Sequence, residues 1–141
     1  MKSVEVIFVQ KVIRELQRIQ SREKSIKKEI IMLQEEILSK TTKAEKKIIK
    51  EKIISLEREQ KQAYLFCKSV DDILESIKSD PAIDNQTYGI FHYYLFINPN
   101  QMRASKEFNL TQDPGSKRIR SCSELFMCYW EYPKNKTTIG F

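Results

Sequence analysis

The chain has 141 residues, with 25 Lys and Arg against 19 Asp and Glu and a net charge of +6, a mild excess that permits an anionic partner without requiring one. No window reaches the 18 or more apolar residues of a membrane span, and Cys67, Cys122 and Cys128 are odd in number with no Cys-x-x-Cys pair, which excludes a recognisable disulfide framework or zinc site. All three Gly and all four Pro fall after residue 80, as do most of the aromatic residues, so a helical half is expected to precede a structurally different one.

Met1–Val9 places an acid, Glu5, inside a short apolar run without a small-residue cleavage site. The expectation is an untargeted, soluble, intracellular chain, cytoplasm and nucleus being indistinguishable. From Val9 the core-type positions Val12, Leu16, Ile19, Glu23, Ile26, Ile30, Leu33 and Ile37 step 3-4-3-4. A second run does the same through Ile49, Ile53, Leu56, Gln60, Ala63, Cys67, Val70, Leu74 and Ile77. The two runs are out of phase by two residues, a slip that a continuous coiled coil does not absorb. A break is therefore expected at the polar patch Lys40–Lys43, and Thr42-Lys43-Ala44-Glu45 forms a capping box that starts a new helix there. Helices are expected over about 4–39 and 43–79, the second stopped by Asp80-Pro81.

Folding back about residue 43 pairs Val12 with Leu74 and Leu33 with Ile53, and sets Glu23 opposite Ala63 and Ile26 opposite Gln60. That makes residues 1–80 an antiparallel coiled-coil hairpin with one polar double layer. Ile13, Ile31, Leu38, Ile48, Ile54, Tyr64, Phe66 and Ile73 lie off this seam, and some widen the apolar face enough to seat another helix pair. A protein partner is expected, as homo-oligomer or hetero-coiled coil, through Leu16, Ile19, Ile26, Ile30, Leu33, Ile53, Leu56 and Val70.

Residues 81–141 read as a small, aromatic-rich antiparallel β (or α/β) domain, so the fold class expected is α+β. Tyr88–Ile97 is β-branched and aromatic on both faces, as in a central strand. Glu107–Thr111 alternates, Asp113-Pro-Gly-Ser116 reads as a turn, and Lys117–Cys122 returns antiparallel. Glu124–Tyr132 reads as a further strand or a short helix.

Catalysis is not expected. His92 is the only histidine and has no carboxylate, Ser or Cys close in sequence, which leaves it without the arranged partner a general base needs. No glycine-rich phosphate loop is present, and no cofactor, metal or small-molecule substrate is implied. The hairpin tip is more distinctive: six lysines between Lys40 and Lys52 face only Glu45 and Glu51. Lys43, Lys46, Lys47 and Lys50 are suited to a nucleic-acid backbone as sequence-blind charges. A solvated turn is the plainer reading of the same residues.

Phe96-Ile97-Asn98-Pro99, Lys106-Glu107-Phe108 and Arg120-Ser121-Cys122, placed after a long coiled coil, make Ile90–Cys122 similar to the RWD-type domains of the coiled-coil subunits in the outer kinetochore's microtubule-binding complex. The resemblance implies a domain that makes protein contacts and no chemistry, and a coil that pairs with a sister subunit. This chain departs from that pattern in ending at Pro133–Phe141 without further helices, and in a hairpin where that family pairs helices in parallel.

Overall fold

A computed structural model describes residues 3–40 and 42–131. Helix α1 spans Val4–Ser39 and α2 spans Lys43–Lys78, each 36 residues and about 54 Å long at the helical rise. Their ends follow from local chemistry. The Ser3 hydroxyl accepts from the Val6 amide, and the Thr42 hydroxyl accepts from the Glu45 amide, each satisfying one of the free N–H groups of a first turn. Behind them, α2 stops at Ser79, two residues before Pro81.

The two helices form an antiparallel hairpin. Near the tip Met32 and Leu33 share a groove with Ser55 and Leu56, whereas further back Arg22 meets Glu59 and Glu23 meets Cys67. Residue numbers thus run in opposite directions along the pair.

The regular elements of the second half's described residues are all helices: α3 Asn85–Phe96, α4 Gln101–Glu107 and α5 Gln112–Glu131. No strand occurs among the described residues, so the chain is all-α and the expected α+β class with a β-rich domain is overturned. Each misread segment has its own cause. Tyr88–Ile97 is apolar on both sides because α3 is packed by α4 and α5 and touches α1 and α2. Its buried residues are Thr87, Ile90, Phe91 and Tyr94, a helical i, i+3, i+4, i+7 spacing that the surrounding aromatics obscure. The start of α3 is fixed by Asp84, whose carboxylate accepts from the Thr87 amide at 2.7 Å.

Glu107–Thr111 is the end of α4 and a turn, with Asn109 in the left-handed region at φ 57°, which Asn tolerates better than most residues. Asp113-Pro-Gly-Ser116 is the first turn of α5. Proline costs nothing there, because its missing N–H would have had no helical partner. Gly115 is needed for proximity: a Cβ built on it would stand 1.9 Å from Ser105 Oγ and 2.6 Å from Ser105 Cβ. Lys117–Cys122 and Glu124–Glu131 complete α5, Tyr132 lying outside the described residues.

Helices α3–α5 cap the open end of the hairpin. One core joins the two halves: Val6, Val9, Val12, Ile13 and Leu16 of α1 and Phe66, Val70, Ile73, Leu74 and Ile77 of α2 meet Ile90, Phe91, Tyr94, Ala104, Ile119, Cys122 and Phe126 of the cap. Trp130 lies edge-on to both Phe8 and Phe66 and stacks on Phe126. One buried and two part-buried hydrogen bonds fix the orientation. Gln10 Nε2 donates to the Tyr94 hydroxyl at 2.8 Å, Arg118 donates to Thr87 Oγ1 at 2.9 Å, and the Tyr129 hydroxyl donates to Asp80 at 3.2 Å. A 61-residue half too small to bury a comfortable core alone is completed by the hairpin.

Candidate interaction surface

The cap reaches only part of the hairpin, and this divides the off-seam apolar residues into two groups. Ile13, Phe66 and Ile73 are buried in the shared core. Ile31, Leu38, Ile48, Ile54 and Tyr64, together with Met32, are exposed, Leu38 to 85% and Met32 to 66%. Even the seam thins out along this distal arm: Ile26, Ile49 and Ala63 are buried, but Ile30, Leu33, Ile37, Ile53 and Leu56 are only half covered. Two helices can bury one stripe each, so any wider apolar face needs a third element.

The residues expected to form a partner interface are accordingly split. Leu16 and Val70 are fully used inside the core, Ile19 packs against its edge, and Ile26 is buried. Ile30, Leu33, Ile53 and Leu56 line the half-open arm. On one side of it Met32, Leu33 and Leu56 form the floor of a groove of about 420 Å³, with Glu29, Glu36 and Lys52 at its rim.

A polar belt crosses the arm just beyond the cap. Arg22 donates to Glu29 at 2.9 Å and to Glu59 at 2.8 Å, and the Glu59 carboxyl is held below its usual range by that guanidinium. The Cys67 thiol donates to Glu23 at 3.4 Å. Burial first, and the Glu23 carboxylate second, push that thiol up to about 12. Glu23 was expected opposite Ala63, so its partner stands one helical turn further along α2. Polar contacts inside an otherwise apolar seam favour one register over its neighbours.

At the tip Lys43, Lys46, Lys47 and Lys50 are all exposed. Lys40 pairs with Glu36 at 3.8 Å, whereas no ion pair holds these four. At the base of α2, Asp71 and Glu75 are exposed acids without an ion pair, while Asp72 is held by Lys68 at 3.5 Å. Burial, and then the Asp72 carboxylate, raise the Asp71 carboxyl above its usual range. This segregation is not legible in the sequence, because Asp71 and Glu75 are spaced as ordinary helix-surface acids.

His92 is exposed on α3 between Tyr88 at 6.1 Å and Phe96 at 4.8 Å. Among the described residues no three His, Cys, Asp or Glu side chains gather as a metal-holding group. None of the described helices is long and apolar enough to cross a membrane. A second groove, between the start of α1 and the start of α5, carries both signs of charge, Glu5 and Asp113 against Lys117 and Arg120. No family model matches this chain, and neither a curated protein nor a solved structure matches it, so the likeness of Ile90–Cys122 to kinetochore RWD-type domains rests on that segment's residues alone.

Proposed function

We propose that this chain is a non-enzymatic assembly protein of the cell interior, in which the capped base is a folding platform and the distal arm is the surface that binds another helical protein or a second copy. One observation carries this reading: the off-seam apolar residues are covered where α3–α5 reach them and bare where they do not. Burying a Leu, Ile or Met side chain contributes about 1.5–3 kcal/mol, so the five bare residues of this kind on one arm, Ile31, Met32, Leu38, Ile48 and Ile54, are a substantial reserve for association. Exposed apolar groups clustered on one element are how partner surfaces are built.

The test is a photo-reactive residue placed at Ile31 or at Lys106, an exposed position on α4 of the cap, in cells that make the chain. Protein adducts at position 31 and none at position 106 are the expected result. An arm that forms no protein adduct at all would contradict the assembly role.

A nucleic-acid accessory role is the second reading, favoured by the four tip lysines that lack ion pairs. Lys46→Glu, Lys47→Glu and Lys50→Glu together should then abolish a salt-sensitive nucleic-acid binding, since phosphate contacts of this kind release counterions. Binding unchanged by the triple reversal removes that reading.

A further inference from the structure

We propose that the exposed face of α2 is an antiparallel self-association seam, along which two copies of this chain lie side by side with the lysine tip of each against Asp71 and Glu75 of the other. This rests on the assembly reading above and names the occupant of the arm.

The residues Lys43, Lys47, Lys50, Ile54, Glu57, Lys61, Tyr64, Lys68, Asp71 and Glu75 are all exposed. They step 4-3-4-3 without interruption and so form one straight stripe on the helix. Its charge is not spread evenly. Three lysines stand at the tip end, two acids stand at the cap end, and two exposed apolar residues, Ile54 and Tyr64, lie between. A stripe that is basic at one end and acidic at the other is complementary to itself only when reversed.

Reversal about residue 59 sets Ile54 against Tyr64, Glu57 against Lys61, Lys47 against Asp71 and Lys43 against Glu75. Apolar meets apolar and acid meets base in all four. The only like-charge pair is Lys50 with Lys68, and Lys68 is already engaged by Asp72. Shifting one heptad either way weakens the match. A pivot between residues 55 and 56 opposes Ile54 to Glu57 and Lys50 to Lys61, and one between 62 and 63 keeps Lys50 with Glu75 and Glu57 with Lys68 but opposes Ile54 to Asp71 and Lys47 to Lys78. The register is thus specified by the same residues that the folded chain leaves without partners.

The length also fits. From Lys43 to Glu75 the seam runs about 50 Å, and at a helix width of about 10 Å it covers roughly 500 Å² on each copy. That is about 1,000 Å² in total, the lower edge of specific interfaces, and corresponds to a weak, concentration-dependent dimer. Asp71, whose carboxyl is raised by its surroundings, gains a cation in this arrangement. A hetero-helical partner or an anionic polymer on the same stripe are the competing occupants.

The experiment is sedimentation equilibrium of the purified chain from micromolar to submillimolar concentration, with Lys47→Asp, Asp71→Lys and the double variant. The wild type should dimerise. Each single reversal breaks both copies of the pair and should weaken dimerisation about tenfold, with the double variant restored to within about threefold of wild type. Both substitutions are on exposed positions, and unchanged circular dichroism checks that the fold is intact. A wild type that is monomeric throughout, or a dimer in which the double variant is as weak as the singles combined, overturns the seam. If the photo-reactive arm still captures another protein while the purified chain stays monomeric, the assembly role stands and the second copy is the wrong occupant.

Discussion

Replacing Gly115 by alanine probes the cap at its tightest point. In an unobstructed helix the change would stabilise by up to about 1 kcal/mol, because glycine has the larger backbone entropy to lose. Here the added Cβ falls 2.6 Å from Ser105 Cβ, 1.9 Å from Ser105 Oγ and 3.2 Å from Ile90 Cδ1. Rotating the serine moves the hydroxyl but not its Cβ, so α4 and α5 must separate by about 1 Å to reach ordinary contact. Overpacking of this kind costs about 1–3 kcal/mol. The wedge sits where Ser105 is buried and its hydroxyl donates to the Gln101 carbonyl, which puts the loss toward the upper end. Net destabilisation of about 2 kcal/mol is expected, read as a lower urea midpoint by far-ultraviolet circular dichroism. Combining Gly115→Ala with Ser105→Gly reopens the space and should recover at least half of the loss. A Gly115→Ala protein as stable as the parent, or more so, would refute the close α4–α5 contact and the helical start of α5.

Other outcomes follow from burial and charge. Leu16→Ala should cost about 2–5 kcal/mol, since Leu16 is buried in the shared core, while Leu38→Ala, at a residue 85% exposed, should stay within about 0.5 kcal/mol for the monomer in urea titration. Thiol labelling of the folded protein at pH 8 should modify exposed Cys128 first. Burial pushes Cys67 and Cys122 up to about 12, which leaves about one thiolate in 10⁴ at that pH; a second thiol labelled as fast as the first would contradict their packing. The Asp84 carboxyl is held below its usual range, chiefly by the Thr87 amide at the start of α3. Its contribution is fully present above the unfolded carboxyl value of about 4 and is lost as pH falls through the lower folded value. Asp84→Asn keeps a capping side chain without the charge and should flatten the acid side of the stability curve; an unchanged slope would argue against that capping role.

What could be read from the sequence was set by how long a period persists. The two heptad runs continue over many turns without Gly or Pro, and the Thr42–Glu45 box marks where the second begins, so α1 and α2 end within a residue of expectation. The cap lacks such redundancy. Its helices are 12, 7 and 20 residues long, and aromatics on several faces of α3 erase the contrast between core and surface on which periodicity depends. The usable signals were the starts: Asp84 three residues before Thr87, and Asn100 three before Arg103, both of which cap helices. Pro114-Gly115 reads as a turn by composition, yet it is a first turn plus a close approach, a distinction that only the position of Ser105 supplies. For the arm, the off-seam apolar residues were visible as a set. Which of them stay bare depended on where the cap ends, and that is a tertiary fact.

A distal arm that is a binding surface completed by another helix must change its amide exchange when that helix docks, and exchange along α2 can be followed in dilute solution, in concentrated solution and in extract of cells that make the chain. Protection over residues 43–75 should rise at least tenfold between the dilute state and one of the other two, with the cap core around Phe91 and Phe126 unchanged. Exchange along the arm that is equally fast in all three would contradict it.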